Sequence, residues 1–187
     1  SGPGKNIHIV GLEALGNTGH GFLFDATDDG IDGVYLEGVL SIGNGLNGVV
    51  LSNGSDTCTG FKVLNSHIEN NQRSGLRVVT TGGGITDVVI SGCQFVANGR
   101  DSGAGTDRAG ISIANSVTQL RIVNNRCWDS QSSKTQTYGL HCGTVTLTGG
   151  EINDNDFAQN LTGGALVSNV TWSSFRGGRN NAWTIST

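Results

Sequence analysis

Proline occurs once and methionine not at all in this chain of 187 residues, and charged residues make up only 14% of it. So little charge excludes a chain held open by self-repulsion. A formal charge of −4 excludes a basic surface that tracks nucleic-acid phosphates, so no nucleic-acid partner is expected. The near-absence of proline excludes a Pro-rich coil, and 31 glycines without a Gly-X-Y period exclude collagen. No apolar run approaches the roughly 18 residues of a membrane-spanning helix, and no signal-peptide pattern is visible. Membrane insertion is therefore not expected. The length suits one domain with a sizeable core. Ser1-Gly2-Pro3-Gly4 reads as a cloning remnant, which leaves residues 5–187 as a single domain, expected to be a piece of a longer protein.

What the chain does have is a repeat. Six strand-like stretches open with glycine: Gly21-Phe-Leu-Phe, Gly48-Val-Val-Leu, Gly75-Leu-Arg-Val, Gly110-Ile-Ser-Ile, Gly139-Leu-His-Cys and Gly164-Ala-Leu-Val, at spacings of 27, 27, 35, 29 and 25 residues. A second stretch recurs between them at Ile7, Val34, Phe61, Val88 and Leu120, with a weaker copy at Gly150. Each ends ten residues later in a polar turn residue: Asn17, Asn44, Asn71, Asn98, Ser130 and Asn160. A unit of this length with short alternating strands and no amphipathic helix predicts a solenoid. An all-β, right-handed parallel β-helix of about six to seven coils fits best, with equivalent strands stacked about 4.8 Å apart. Asparagine suits the turn column because it tolerates left-handed backbone angles and its amides can hydrogen-bond along the stack.

Strand alternation assigns the faces. Phe22/Phe24, Val49/Leu51, Leu76/Val78, Ile111/Ile113 and Leu140/Cys142 point inward, as do Ile9, Leu36, Val63, Ile90, Ile122 and Ile152. Cys93, Cys127 and Cys142 fall on inward columns and Cys58 in a turn. Cys-x-x-Cys spacing is absent, which favours reduced thiols packed as small core residues over a metal site; a Cys93–Cys127 disulfide between neighbouring coils is the weaker alternative. The run Asp25-Ala-Thr-Asp28-Asp29-Gly-Ile-Asp32 carries oxygen ligands of the kind calcium takes, but Asp-Asp-Gly is also a turn signal and is read as one. No metal or cofactor is expected. The apolar outward pairs Leu23–Val50 and Leu40–Ile42 are expected to be exposed and to pack against a sister chain.

The unit as it stands in Gly75-Leu-Arg-Val and Val88-Val-Ile-Ser-Gly-Cys-Gln-Phe-Val-Ala-Asn resembles the right-handed parallel β-helix repeat of pectate-lyase-like proteins, over residues 7 to about 169. That superfamily includes polysaccharide lyases, glycoside hydrolases, epimerases and bacteriophage tailspikes. Low charge and richness in Ser, Thr, Asn and Gly look most like a tailspike β-helix. The resemblance implies binding of a bacterial surface polysaccharide, a homotrimer, and a place in a virion tail or outside the cell. Whether the glycan is also cleaved, by hydrolysis or elimination, stays open. So do a non-catalytic structural or glycan-binding rod and a secreted bacterial polysaccharide lyase. The Trp-x-Asp-His of pectate lyases and the Asp-Pro-His of the epimerases are missing.

Loop length points to a site. Most units spend three residues between the turn residue and the next lead glycine, but the unit leaving Asn98 spends eleven and the one leaving Ser130 spends eight. On consecutive coils these insertions should form one wall, where solenoids place function. A sugar ring offers an apolar face to an aromatic plane and hydroxyls to carboxylates and guanidinium forks. Trp128, Tyr138, Arg126 and Arg100 are therefore candidates for substrate binding. Asp101 and Asp107 could supply the carboxyl pair of a glycosidase, with Arg108 tuning one of them. A lyase would instead use a base such as His67 beside Glu69, or Arg77 near His141. The plain alternative is a flexible Gly/Ser loop with solubilising charge.

Overall fold

The structure, a computed structural model, describes residues 4–26, 30–80, 82–102, 107–168 and 170–185. Every strand pairs in parallel with its counterpart one repeat away, giving three seven-stranded sheets that share one axis. The first sheet stacks β1 (Gly4–Val10), β4 (Ile31–Glu37), β7 (Cys58–Leu64), β10 (Ile85–Ser91), β13 (Val117–Val123), β16 (Thr146–Asn153) and β19 (Thr171–Gly177). The second stacks the short strands β2 (Glu13–Leu15), β5 (Leu40–Ile42), β8 (His67–Glu69), β11 (Gln94–Val96), β14 (Arg126–Trp128), β17 (Asn155–Asp156) and β20 (Asn180–Asn181). The third stacks β3 (Phe22–Ala26), β6 (Val49–Asn53), β9 (Leu76–Thr80), β12 (Ala109–Ile113), β15 (Tyr138–Gly143), β18 (Gly163–Ser168) and β21 (Trp183–Ile185). This is a parallel β-helix, as the repeat predicts.

The core lies along the axis, and its register is the one alternation assigns. Leu36, Val63, Ile90, Ile122 and Ile152 stack in order and are buried. Behind the second sheet, Ala14, Ser41, Ile68, Phe95 and Cys127 share one column. Bulk there varies from coil to coil, and buried Ser41 satisfies its hydroxyl by donating to the Gly48 carbonyl at 2.9 Å. The lead glycines have a steric cause. A Cβ on Gly75 would lie 2.7 Å from the Gly110 carbonyl, 2.8 Å from the Phe95 ring and 2.9 Å from the Asn98 amide. Two coils approach so closely at this corner that only hydrogen fits between them.

The turn ladder forms, with two corrections. Asn17 donates to Asn44 Oδ1, Asn44 to Asn71 Oδ1 and Asn71 to Asn98 Oδ1, each through backbone and side-chain nitrogen at 2.8–3.2 Å. On the next coil the partner is Gln136, not Ser130. Its Oε1 accepts from Asn98, and its Nε2 donates to Asn160 Oδ1 at 2.7 Å. The nine-residue excursion 129–137 brings the chain back to this corner late, and one extra methylene lets Gln136 span it. The left-handed residue is also not the ladder asparagine but the one before it: Gly16, Gly43, Asn70, Ala97 and Gln159 have φ between 51° and 67°. A second ladder runs at the corner between the first two sheets, where Cys93 donates its amide to Asn125 Oδ1, Asn125 donates to Asn155 Oδ1 and Asn155 to Asn180 Oδ1.

All four thiols are free and buried. Cys58 is not in a turn: it opens β7 and stacks between Ile31 and Ile85 on an inward column. Burial pushes the thiols of Cys93 and Cys142 up to about 12. Val50 is buried rather than exposed, so the expected Leu23–Val50 patch reduces to Leu23, which is half-exposed. Leu40 and Ile42 are partly covered. Of the acidic run at Asp25–Asp32, residues 27–29 lie outside the described residues.

Candidate functional site

The third sheet presents an outward column of Leu23, Val50, Arg77, Ser112, His141 and Leu166, in that register. One residue before each lead glycine a second column runs beside it, through His20, Asn47, Ser74, Ala109 and Tyr138. The two insertions, 97–108 and 129–137, rise along this edge; residues 103–106 lie outside the described residues.

The insertions form a wall, stitched rather than loose. Gly99, Arg100 and Asp101 donate their amides to carbonyls of the turn at 71–73, the closest at 2.7 Å. Arg108 bridges both insertions: its Nε donates to the Gly99 carbonyl at 2.9 Å and its Nη2 to the Thr135 carbonyl at 2.8 Å. Asp129, fully buried, accepts the amides of Gln131 at 2.9 Å and Gln136 at 2.8 Å and so organises the second insertion. Lys134 donates to the Asp129 carbonyl.

Below the wall Asp107 turns inward onto the third sheet. Its carboxylate contacts Arg77 Nη1 at 2.5 Å and Arg73 Nη1 at 3.8 Å, and accepts the hydroxyl of buried Ser74 at 2.9 Å. The two guanidiniums, His20, Asn47 and the acid Asp25 edge a cleft of about 300 Å³ whose apolar lining comes from Leu23, Val50 and Val79. Its polar atoms are incompletely matched. Asn47 is only 2% exposed, yet its Oδ1 has no partner among the described residues, and neither do Arg73 Nε, Arg77 Nε or the nearby Thr137 Oγ1. Buried polar groups in a folded protein are nearly always paired, so such a cluster of orphans marks a place where ligand or water completes the bonding.

Two imidazoles flank the cluster. His20 Nδ1 accepts the amide of Asn47 at 3.2 Å, which leaves Nε2 carrying the proton. Burial lowers its pKa below 6.5, and the cations Arg73 and Arg77 add to the shift against the opposing pull of Asp107. Burial also lowers His141, again against Asp107. Tyr138 stacks on His141 with ring centroids 6.1 Å apart.

The seven residues singled out by sequence therefore divide among the third-sheet site, the wall and the second sheet. Asp107 and Tyr138 reach the third-sheet site. Asp101 is anchored through its backbone on the wall, and the partners of Asp107 are two guanidiniums and a hydroxyl. Arg108 is spent on carbonyls of the wall, and Arg100 is exposed. Trp128 and Arg126 lie on the second sheet, where the guanidinium covers the indole at 4.2 Å and also meets Asp156 at 3.5 Å. His67 and Glu69 pair with each other at 2.9 Å, also on the second sheet. Sequence reasoning missed His20, Asn47, Arg73 and Ser74. A signal for three of them was present, since each directly precedes a lead glycine.

No known protein family matches the chain, and no curated protein is similar to it at the level of sequence. Among solved structures it is similar to the A-module of the mannuronan C-5 epimerase AlgE4 from Azotobacter vinelandii. Identity is 15% and the TM-score 0.41, over 98% of this chain and 58% of that module. The chain thus spans a little over half of that module's length. Its own three parallel sheets define the fold.

Proposed function

We propose that this β-helix binds an acidic polysaccharide along the outer face of its third sheet. An anionic group of the glycan would seat on Arg73 and Arg77, and a neighbouring hydroxyl would donate to Asn47 Oδ1. The observations that support this are two guanidiniums and an asparagine lining one cleft, with Arg73 Nε, Arg77 Nε and Asn47 Oδ1 buried and unpaired among the described residues. Donors beside an acceptor match a carboxylate that has a hydroxyl on the adjoining carbon. The valine floor suits the C–H face of the ring, and the wall supplies length along the rod.

The wider setting we propose is a bacterial surface polysaccharide engaged from outside the cell, in a trimeric phage tailspike. Its support is the low-charge, hydroxyl- and amide-rich surface. If the face also cleaves, His141 is the base best placed to do it. It is neutral at pH 7, stacked on Tyr138, and two strands from Arg77, or about 9–10 Å. Elimination on a uronate would use Arg77 to neutralise the carboxylate and His141 to take the C5 proton; the C4–O4 bond breaks as the C4–C5 double bond forms, and the imidazolium or water returns a proton to the departing oxygen.

Calorimetric titration with oligogalacturonate and oligomannuronate, against neutral oligosaccharides of equal length, tests the reading. Acidic glycans should bind, with affinity falling as salt rises, and Arg73→Gln should weaken binding about tenfold or more. Equal affinity for acidic and neutral glycans, or indifference to Arg73→Gln, would overturn it. The same mixtures, followed by ultraviolet absorbance for an unsaturated uronate, report on elimination, which His141→Gln should abolish. Sedimentation equilibrium tests the trimer.

A further inference from the structure

On the first sheet, away from the wall, the outer surface carries a trench of about 320 Å³ over β1, β4 and β7. Gly33 and Gly60 form its floor, and His8, Tyr35 and Lys62 form one side in register. We propose that this trench is a second carbohydrate subsite, one that takes a single neutral pyranose ring.

The glycines carry the first part of the argument. Each strand of the first sheet kinks through a left-handed residue at this position, and the column reads Asn6, Gly33, Gly60, Asp87, Gln119, Gly149, Ser174, with φ from 53° to 79°. Asn6, Asp87 and Gln119 adopt the kink with side chains in place, so the backbone angle alone does not demand glycine at 33 and 60. Nor does crowding at Gly60, where an added Cβ would meet only the backbone of Gly33, at 3.4 Å. At Gly33 an added Cβ would meet Asn6 Oδ1 at 2.5 Å, so the neighbouring side chain accounts for that glycine; what Gly60 accomplishes is an open floor beside it, about one strand spacing wide.

The side wall carries the second part. His8 and Tyr35 meet edge to face, with ring centroids 4.5 Å apart and planes at 86°. The Tyr35 hydroxyl donates to Glu37 Oε2 at 3.3 Å. Both rings are held before any ligand arrives, so little side-chain entropy is left to lose on binding. A fixed aromatic pair beside an apolar floor fits the C–H face of a sugar. Among the described residues Lys62 is the one lysine or arginine lining the trench, and it already shares its charge with Asp87 at 3.8 Å. It can donate to hydroxyls but offers no second cation to clamp an anion, which is why the occupant is a neutral residue rather than an acidic one. This site depends on none of the residues of the third-sheet cleft.

The test is amide NMR of the full chain, titrated separately with maltohexaose, cellohexaose, xylohexaose and chitohexaose. At least one should shift the Gly33, Gly60 and Tyr35 amides saturably in the millimolar range. Gly60→Asn keeps a residue that tolerates the kink but fills the floor. It should weaken that response about tenfold while leaving thermal unfolding and the third-sheet response to oligogalacturonate in place. Tyr35→Ala should weaken it as well. Absence of any shift at these amides, or a response unchanged in both variants, would overturn the proposal. A Gly60→Asn protein that unfolds early would shift the decision to Tyr35→Ala, whose side chain is not part of the core.

Discussion

Asp107 leaves the wall and ends among Arg77, Arg73 and the hydroxyl of Ser74, so three groups depend on one carboxylate. Removing it strands two partly buried guanidiniums. Breaking a fully buried pair costs about 3–5 kcal/mol. Arg73 and Arg77 keep some contact with solvent, so Asp107→Ala should cost nearer 2–3 kcal/mol by urea denaturation. It should also disturb the glycan binding proposed for the third sheet. The imidazoles give a pH dependence with a definite sign. His20 and His141 titrate below 6.5 in the fold and at 6.5 in the unfolded chain. Just below pH 6.5 the unfolded chain therefore binds more protons, and stability drops as the solution is acidified through that window. Above it their contribution is complete. His141→Gln should flatten this part of the stability–pH curve. The sequence exposes such residues only partly. Arg77 and His141 stand out by alternation within a strand and Asn47 by its place before a lead glycine, but Arg73 lies in a corner turn, where no periodicity assigns a face. Asp107 was visible as an acid of the insertion. That it faces two arginines rather than Asp101 depends on how an irregular segment returns to the sheet.

At the scale of elements, two corners built on amide ladders hold the coils in register. Asn71 lies mid-ladder: it accepts from the backbone and side chain of Asn44 and donates to Asn98 Oδ1 and the Ser41 carbonyl. Asn71→Ala should cost about 2–4 kcal/mol, because it leaves at least two buried groups unpaired at about 1–3 kcal/mol each. Asn17→Ala, on the first coil with a neighbour on one side only, should cost much less. Gly75→Ala forces a methyl against the Gly110 carbonyl and the Phe95 ring, and should cost about 1–3 kcal/mol, read as a lowered melting temperature. The glycine-led strands and the Asn17–Asn98 column were legible because the spacing hardly varies across the early coils. Gln136 was not, since the long excursion of its coil destroys the spacing that would have aligned it. The second ladder was hidden for another reason. Its column begins with Leu12, Val39, Ser66 and Cys93, and becomes asparagine only from Asn125 onward.

Across the whole molecule, stability should follow position along the axis. Contacts in a solenoid run between neighbouring coils, so each terminal coil is held from one side only. Here the first coil also leaves Val10, Leu12 and Leu15 more than half exposed. Hydrogen exchange should accordingly be slowest in β7, β10 and β13 and fastest in β1 and β2; uniform protection from end to end would contradict this. The parallel sheets and the axial core could be read from the repeat because inward columns recur in every coil. The roles of the outward faces could not, since outward residues obey no period. The placement of the cysteines has a practical result. Cys58, Cys93 and the pair Cys127 and Cys142 occupy three consecutive central coils and are shielded from solvent. A thiol held near 12 is inert until its surroundings open. Alkylation rates at these positions, resolved by peptide mass, would act as built-in clocks for how often the middle of the rod comes apart, with no label to introduce.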